Sequence, residues 1–262
     1  MRLTVRKHGF RPCALLLLLL CCRLGAQAPE STASLLLRLD SERDYAARER
    51  LLLRVTSQDA EAGPALLKLA QTTTHNDTRW LLMRSMASLH YTECAPFLEV
   101  WLRDADPLIR ANAARALGDL KIMDALPAVL AMFVAERNPD AIQQASAVLA
   151  YTFSAKAAAP SLREKIPLYT GQTRAWLISA LGEVGNIGDV PLLATFLDER
   201  VSEEMAAGAI SRLTGIDFGA PRPMGLSGSD PPQLIGARAW WQSHKDAWPR
   251  CDDCHPSALP KQ

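Results

Sequence analysis

The sequence predicts an all-α protein, an α-solenoid of about five to six helical hairpins. Alanine and leucine are abundant, whereas aromatic residues make up only 6% of the 262 residues, which disfavours an all-β domain. Prolines recur along the chain at a nearly constant interval, and a second series of potential helix-starting residues recurs at the same interval. A constant interval of this length is typical of stacked structural repeats.

The two series share a period of about 32 residues. The first series is Pro64, Pro96, Pro127, Pro160 and Pro191, and the second is Thr74, Asp106, Asn138, Thr170 and Ser202. Side chains of the second series can accept hydrogen bonds from the free N–H groups at a helix start. Proline is well suited to the first helical position because its missing N–H costs nothing there. We therefore predict a first helix after each acceptor and a second helix at each proline.

Apolar residues follow both series at helical spacing. In the first helices, one slot holds Leu117, Leu149, Leu181 and Leu213. In the second helices, Leu66, Leu98, Val129, Leu162 and Leu193 lie two residues past the proline, and Leu102, Phe133, Ile166 and Leu197 lie six past it. Residues four apart share one helix face. Short helices cannot bury such faces alone, so we expect the hairpins to stack.

The periodicity divides the chain into segments. Five helix pairs are expected at about 42–71, 76–104, 106–136, 138–167 and 170–199, and a sixth begins at Ser202. The repeat solenoid therefore covers 42–213, preceded by a linker at 29–41. A Gly/Pro-rich loop at 214–235, a C-terminal capping helix at 236–250 and a tail at 251–262 complete the chain.

Residues 1–28 are predicted to be a secretory signal peptide. They contain five basic residues, no acidic residue, a run of six leucines and the small-residue pattern Ala26-Gln27-Ala28, the arrangement of a cleaved signal. We expect a secreted or periplasmic protein with no membrane span in the mature chain. The remaining chain carries 24 basic and 28 acidic residues, which argues against nucleic-acid binding.

The C-terminal tail contains the sharpest motif of the sequence. Cys251-Asp252-Asp253-Cys254-His255 matches C-x-x-C-H, the attachment site of c-type haem. The two thiols would bond the porphyrin and His255 would ligate the iron. A disulfide between Cys251 and Cys254, a zinc site with a fourth ligand, or no function at all are the alternatives.

Aromatic residues crowd the final helix, just before this motif. Trp240, Trp241 and Trp248 lie there with His244, the histidine nearest to the motif in the preceding chain. They would either cover the apolar end of the stack or form walls around a haem. The first interpretation is favoured.

Several repeats resemble a known family. The segments Asp106-Pro107 to Asp119 and Ala125-Leu126-Pro127 to Leu130 are similar to the HEAT-like repeat, in the short form named for phycobilisome lyases, and 176–193 repeats the pattern. Arg79, Arg110 and Arg174 occupy a slot where this repeat often has arginine, and Ile142 replaces it in the fourth unit. The resemblance implies an α-solenoid whose second helices line a concave face used for protein contacts.

We expect an exported, non-enzymatic scaffold that binds a protein partner on the concave face. Residues four past each proline should point outward: Lys68, Val100, Ala131, Glu164 and Thr195. They contain no facing carboxylates and no convergent histidines, so no catalytic residue and no further metal ligand is predicted. The slot arginines are expected to brace adjacent repeats. The alternatives are a haem-carrying electron-transfer or sensing protein, or a bilin-lyase-like enzyme, which only the repeat's name favours.

Overall fold

The computed structural model describes residues 30–223 and 228–248. Within them, every regular element is helical, and short 3₁₀ turns precede or follow several helices. The α-helices are α1 (Thr32–Ser41), α2 (Tyr45–Gln58), α3 (Gly63–Thr72), α4 (Asn76–Ser88), α5 (Ala95–Trp101), α6 (Pro107–Asp119), α7 (Leu126–Ala135), α8 (Pro139–Ala147), α9 (Ala159–Lys165), α10 (Gly171–Val184), α11 (Val190–Ala194), α12 (Glu203–Thr214) and α13 (Pro232–His244). A π-helical turn, Val148–Thr152, continues α8. None of these helices is both long and apolar enough to cross a membrane.

The two sequence series mark the starts of two helix classes. The odd-numbered helices α3 to α11 begin at the proline series, and the even-numbered helices α4 to α12 begin after the acceptor series. Asp106 and Asn138 cap their helices as predicted, with Asp106 Oδ1 accepting from the Leu108 N–H at 2.8 Å. Thr170 and Ser202 stand at the N-cap position without a capping hydrogen bond. The expected cap at Thr74 is also wrong, because His75 is the N-cap of α4.

The predicted apolar slots form the core. The residues two past each proline, and Leu117, Leu149 and Leu181 of the even-numbered series, are all fully buried. Leu213 of the last unit is only half-buried. One hydrophobic core runs from Leu35 to Trp248 between the two helix layers, as expected for hairpins that shield one another.

The hairpins are one helix out of phase with the predicted pairs. Each odd-numbered helix packs against the even-numbered helix that follows it, as α3 does against α4 and α5 against α6. The hairpins therefore cover 32–58, 63–88, 95–119, 126–152, 159–184 and 190–214. The pairs that place the acceptor helix before the proline helix are wrong, since a period gives the length of a unit but not its starting point.

The segment 29–41 is not a linker. It contains α1, whose N-cap Ser31 accepts a hydrogen bond from the Ser34 N–H at 3.3 Å. Leu35 and Leu39 of α1 are fully buried and lie 31 residues before Leu66 and Ala70 of α3. The helix thus belongs to the odd-numbered row. It lacks the proline that marks the other members, so the proline series missed it.

The closing helix begins earlier than predicted. It starts at Pro232 rather than at 236, because the second proline of Pro231-Pro232 occupies the first helical turn. Its residues Leu234 and Ala237 are fully buried, and the helix packs against α12. It therefore covers the apolar end of the stack.

Candidate protein-docking surface

A continuous surface runs along the even-numbered helices, and we call it the even-helix face. In α6 it comprises Asn112, Arg115 and Asp119, whose spacing of three and four places them on one side of the helix. Even-numbered helices lie side by side, each packed against the next, so the surface is unbroken. Its members are Tyr45, Glu49, Trp80, Arg84, Asn112, Arg115, Asp119, Tyr151, Trp176, Glu183 and Arg212, with the buried Ser179 beneath them.

Aromatic and charged side chains interlock in the N-terminal half of this face. The rings of Tyr45 and Trp80 stack with centroids 5.8 Å apart. The Arg84 guanidinium lies 5.6 Å from the Trp80 ring centroid and 2.6 Å from Glu49 Oε1. Loss of hydration, with the neighbouring Glu49 carboxylate, raises the pKa of the Tyr45 hydroxyl above its ordinary value. The stacked rings form a firm, partly exposed platform.

A small groove separates α4 from α6 on the same face. It has a volume of about 60 Å³ and is lined by Trp80, Arg84, Asn112, Arg115, Ala116 and Asp119. Metabolite pockets are typically several hundred Å³. The groove is therefore sized for the tip of one side chain rather than for a small molecule.

Hydrogen bonds join the units in the C-terminal half of the face. The Tyr151 hydroxyl lies 2.8 Å from Ser179 Oγ, and Arg212 Nε lies 2.9 Å from Glu183 Oε1. Trp176 is 40% exposed on the same stripe of α10 as Ser179. The side chains are thus held in place while aromatic surface stays accessible.

The odd-numbered helices present a different surface. Lys68, Val100, Ala131, Glu164 and Thr195 are all exposed, as predicted. From α3 onward, these helices pack mainly against even-numbered helices rather than against each other. A cavity of about 390 Å³ consequently opens between α5 and α7, lined by Glu99, Leu102, Arg103, Asp104, Arg110, Ala128, Ala131, Met132, Ala135 and Glu136.

The slot arginines brace neighbouring units, which confirms that prediction. Arg110 donates from Nε and Nη2 to the two carboxylate oxygens of Glu136, each at 2.8 Å, and from Nη1 to the Asp104 carbonyl. Arg79 makes the equivalent ion pair with Asp104 at 3.2 Å. Arg174 does so with Glu199 at 2.5 Å. Each guanidinium therefore joins two segments. One is the loop just before its own helix, and the other is the loop that follows the next odd-numbered helix.

A buried lysine substitutes for the missing arginine of the fourth unit. Ile142 occupies the arginine slot, and Lys165 Nζ instead donates to the carbonyls of Val134 and Glu136 at 3.2 and 2.9 Å. The ammonium also lies 5.3 Å from the Phe133 ring centroid. Burial lowers the pKa of Lys165, and the nearby Arg137 adds to that effect. This lysine supports the backbone rather than facing a cleft.

The described residues offer no built metal centre or activated thiol. Between 30–223 and 228–248, no group of three or more His, Cys, Asp or Glu residues could hold a metal ion. Cys94 is fully buried, and burial raises the pKa of its thiol to about 11. A thiol in such surroundings is a poor nucleophile at neutral pH.

The haem-motif residues Cys251, Cys254 and His255 lie outside the described residues, as does the predicted signal peptide 1–28.

The aromatic residues before the motif form one cluster. The Trp240 ring centroid lies 5.5 Å from that of Trp248 and 5.6 Å from that of Phe218. Trp240 and Trp248 are both buried, which supports the interpretation that aromatics cover the end of the stack.

Stacked helical hairpins with one shared core and one continuous exposed surface define an α-helical repeat protein. The family model for HEAT repeats matches residues 63–150, which supports the resemblance to HEAT-like repeats in this part of the chain. The match begins at the first residue of α3 and ends within the π-helical turn after α8, in agreement with odd-to-even hairpins. No curated protein and no solved structure matches the chain.

Sequence reasoning missed the even-helix face. The resemblance assigns protein binding to the proline helices and gives no binding role to Trp80, Tyr151 or Trp176. A signal was present, because polar and aromatic residues recur opposite the buried leucine slot of the even-numbered helices. The cross-helix contacts that join them into one surface required the fold.

Proposed function

We propose that this protein is a non-catalytic scaffold whose protein partner binds the even-helix face. HEAT repeats generally serve in protein interactions. The composition of the face carries the proposal: Tyr45, Trp80, Tyr151 and Trp176 lie among three arginines. Tryptophan, tyrosine and arginine are the residues enriched at the energetic centres of protein interfaces.

The packing of the two layers supports this choice of surface. Even-numbered helices contact one another along the row, whereas a cavity separates α5 from α7 in the other layer. The more closely spaced layer lies on the inner side of a curved stack, so the even-helix face would be the concave one. A partner seated there contacts several units at once, which is how curved repeat proteins bind.

The row first expected to bind is less suited to the task. Lys68, Val100, Ala131, Glu164 and Thr195 include no aromatic residue and no arginine. Isolated exposed residues of these kinds are ordinary surface. We therefore assign the docking role to the opposite helix layer.

Trp176 and Phe97 provide a matched test, because both are aromatic, 40% exposed and located on opposite layers. Cross-linking from the even-helix face would identify a partner, and calorimetry on the purified pair would measure affinity. We expect Trp176→Ala to raise the Kd at least about tenfold, or roughly 1.4 kcal/mol. Phe97→Ala should leave the Kd within about twofold. The opposite ranking would refute the assignment of the face.

A second function is favoured by a specific observation, the Cys251-x-x-Cys254-His255 motif directly after the aromatic cluster. We propose that the chain is exported by its N-terminal segment and carries one c-type haem, for electron transfer or sensing. Such a haem would be held by two thioether bonds and by His255. The two parts of the proposal fit together, since c-type haem is attached outside the bacterial cytoplasm and the predicted signal peptide would direct the chain there.

Expression with haem-maturation machinery tests this second function. The expected result is a red protein whose mass includes one haem and whose colour is lost in Cys254→Ala. A colourless protein with a Cys251–Cys254 disulfide would refute it. The mature N-terminus, read by mass spectrometry, tests export: cleavage near residue 28 is expected, and an intact Met1 would contradict it.

A further inference from the structure

A row of uncharged side chains crosses the even-helix face. Equivalent positions of α4, α6, α8 and α10, each 32 residues after the last, hold Trp80, Asn112, Gln144 and Trp176. Gln144 lies seven residues before Tyr151 and therefore shares its side of the helix. All four side chains are at least partly exposed. Because each even-numbered helix packs against the next, the four side chains lie in one line, which we call the amide row.

The two central members of the amide row have hydrogen-bonding groups to spare. Asn112 Nδ2 donates to the Leu108 carbonyl at 2.8 Å. Among the described residues, Asn112 Oδ1 and the whole side-chain amide of Gln144 have no partner. A side-chain amide offers a donor and an acceptor together, as the main chain of an extended peptide also does. A helix bonds its own main-chain groups internally, so these amides favour an extended main chain over a helical one.

The arginines beside the amide row already have carboxylate partners. The pairs are Arg84 with Glu49 at 2.6 Å, Arg115 with Asp119 at 3.8 Å and Arg212 with Glu183 at 2.9 Å. These groups carry equal numbers of positive and negative charges, so together they are neutral. A strongly acidic or basic segment would have to displace existing ion pairs and would gain no net attraction. The charge of the face therefore matches an uncharged segment.

The two ends of the amide row supply apolar contacts. Trp80 lines the groove of about 60 Å³, which has room for the tip of one side chain, and Trp176 is 40% exposed. Neighbouring helices pack roughly 10 Å apart, so the three steps from α4 to α10 separate the two rings by about 30 Å. An extended chain covers this distance in about nine residues, whereas a helix needs about twenty. Two large apolar side chains about nine residues apart on an extended segment would therefore reach both rings.

We propose that the partner docks through an extended, uncharged segment that crosses the even-numbered helices along the amide row. Asn112 and Gln144 hydrogen-bond its main chain, and two large apolar side chains contact Trp80 and Trp176. The segment belongs to a region of the partner that becomes ordered on binding. This inference rests on the proposed docking function and adds to it the conformation and composition of the segment that is bound.

Peptides of two designs test the proposal on the purified full-length protein. The first is an uncharged peptide of serine, threonine and glycine with two phenylalanines about nine residues apart. The second is an uncharged helix of alanine and glutamine with the two phenylalanines about twenty residues apart, so that both designs span about 30 Å. Fluorescence anisotropy of labelled peptides should give a Kd at least about tenfold lower for the extended design. Shortening its spacing to about six residues, or roughly 20 Å, should raise the Kd to that of a peptide with one phenylalanine.

An alanine variant shows whether the amides bind the main chain. Gln144→Ala should raise the Kd of the extended peptide by about three- to tenfold, the usual effect of one lost hydrogen bond. Methylation of the peptide nitrogens between the phenylalanines should weaken binding to wild type more than binding to this variant. Gln71→Ala removes an exposed amide from the odd-numbered helix α3 and should leave the Kd unchanged. Circular dichroism of each variant separates a lost contact from unfolding.

The outcomes separate this inference from the docking function on which it rests. Tighter binding of the helical peptide, lost in Trp176→Ala, would overturn the extended segment and keep the even-helix face as the docking surface. Binding of the extended peptide that is lost in Phe97→Ala but not in Trp176→Ala would overturn both. Failure of the extended peptide to bind would overturn the inference alone, because the docking surface is tested separately with the partner itself.

Discussion

Glu136 shows how a buried charge is accommodated at the residue scale. Its carboxylate is 2% exposed and receives two hydrogen bonds from Arg110, together with those from the backbone N–H groups of Arg137 and Asn138. Burial alone would raise the pKa of Glu136, but these donors outweigh it and hold the pKa below its ordinary value of 4.5. Buried carboxylates with several donors commonly behave in this way.

This shift predicts an acid-dependent loss of stability. Because the folded-state pKa lies below the unfolded one, the contribution of Glu136 is complete above about pH 4.5 and is lost as the pH falls through the folded-state value. Urea unfolding between about pH 3 and pH 7 should therefore show a flatter acid limb for Glu136→Gln than for wild type. Glu136→Gln should also be less stable at neutral pH. Exposed Glu99→Gln is the control, and an unchanged acid limb in Glu136→Gln would contradict the prediction.

At the scale of the helix, α10 and α12 approach closely through Gly182. A Cβ at this position would lie 2.6 Å from Ala209 Cβ and 2.7 Å from Ala209 Cα. Neither of those atoms can rotate away. Gly208 of α12 is different, because its nearest neighbour would be the flexible end of Arg212 at 3.6 Å.

The two glycines should respond to alanine in opposite directions. Gly182→Ala should lower the free energy of unfolding by about 1–3 kcal/mol through overpacking. Gly208→Ala should raise it by up to about 1 kcal/mol, since alanine is the better helix former and has room. Urea titration of both variants measures the difference. Equal effects would show that the α10–α12 contact is looser than described.

Helix starts were predictable where two local signals agreed. Asp106 and Asn138 are acceptors followed by proline, and both cap their helices. Thr170 has the right position but precedes Gly171, whose backbone φ is 59°, and its side chain makes no cap bond. The hairpin phase was not predictable, because each helix has a possible partner on either side of it in the sequence. The even-helix face was not predictable, because it depends on contacts such as those between Tyr45 and Trp80 and between Tyr151 and Ser179, which are far apart in the sequence.

At the scale of the whole molecule, α1 and α13 are the first and last helices of the stack in the part of the chain that the structure describes. Leu35 and Leu39 of α1 are buried in the first hairpin, 32–58, and Trp240 of α13 is buried at the end of the last one. In stacked repeats, each unit is stabilised only by its neighbours. The ends should therefore open more easily than the middle.

Leu39→Ala should loosen one end selectively. Removing this fully buried side chain costs about 2–5 kcal/mol locally. Hydrogen exchange followed by mass spectrometry should show faster exchange in α1 and α2, with α10 to α12 unchanged. Leu37→Ala is the control, because Leu37 is 76% exposed. Uniformly faster exchange along the chain would contradict nearest-neighbour stability.

Because each hairpin contacts mainly the adjacent hairpins, whole hairpins can be gained or lost during evolution. Duplication or loss of one odd-to-even hairpin would change the chain length by about 32 residues. It would change the length of each helix layer by roughly one interhelical distance, about 10 Å. The remaining junctions would keep their geometry. The junction between hairpins 126–152 and 159–184 differs from the arginine-braced junctions, since Lys165 reaches back to the carbonyls of Val134 and Glu136. An insertion or deletion that separated these two hairpins would leave the buried Lys165 ammonium without its carbonyl partners.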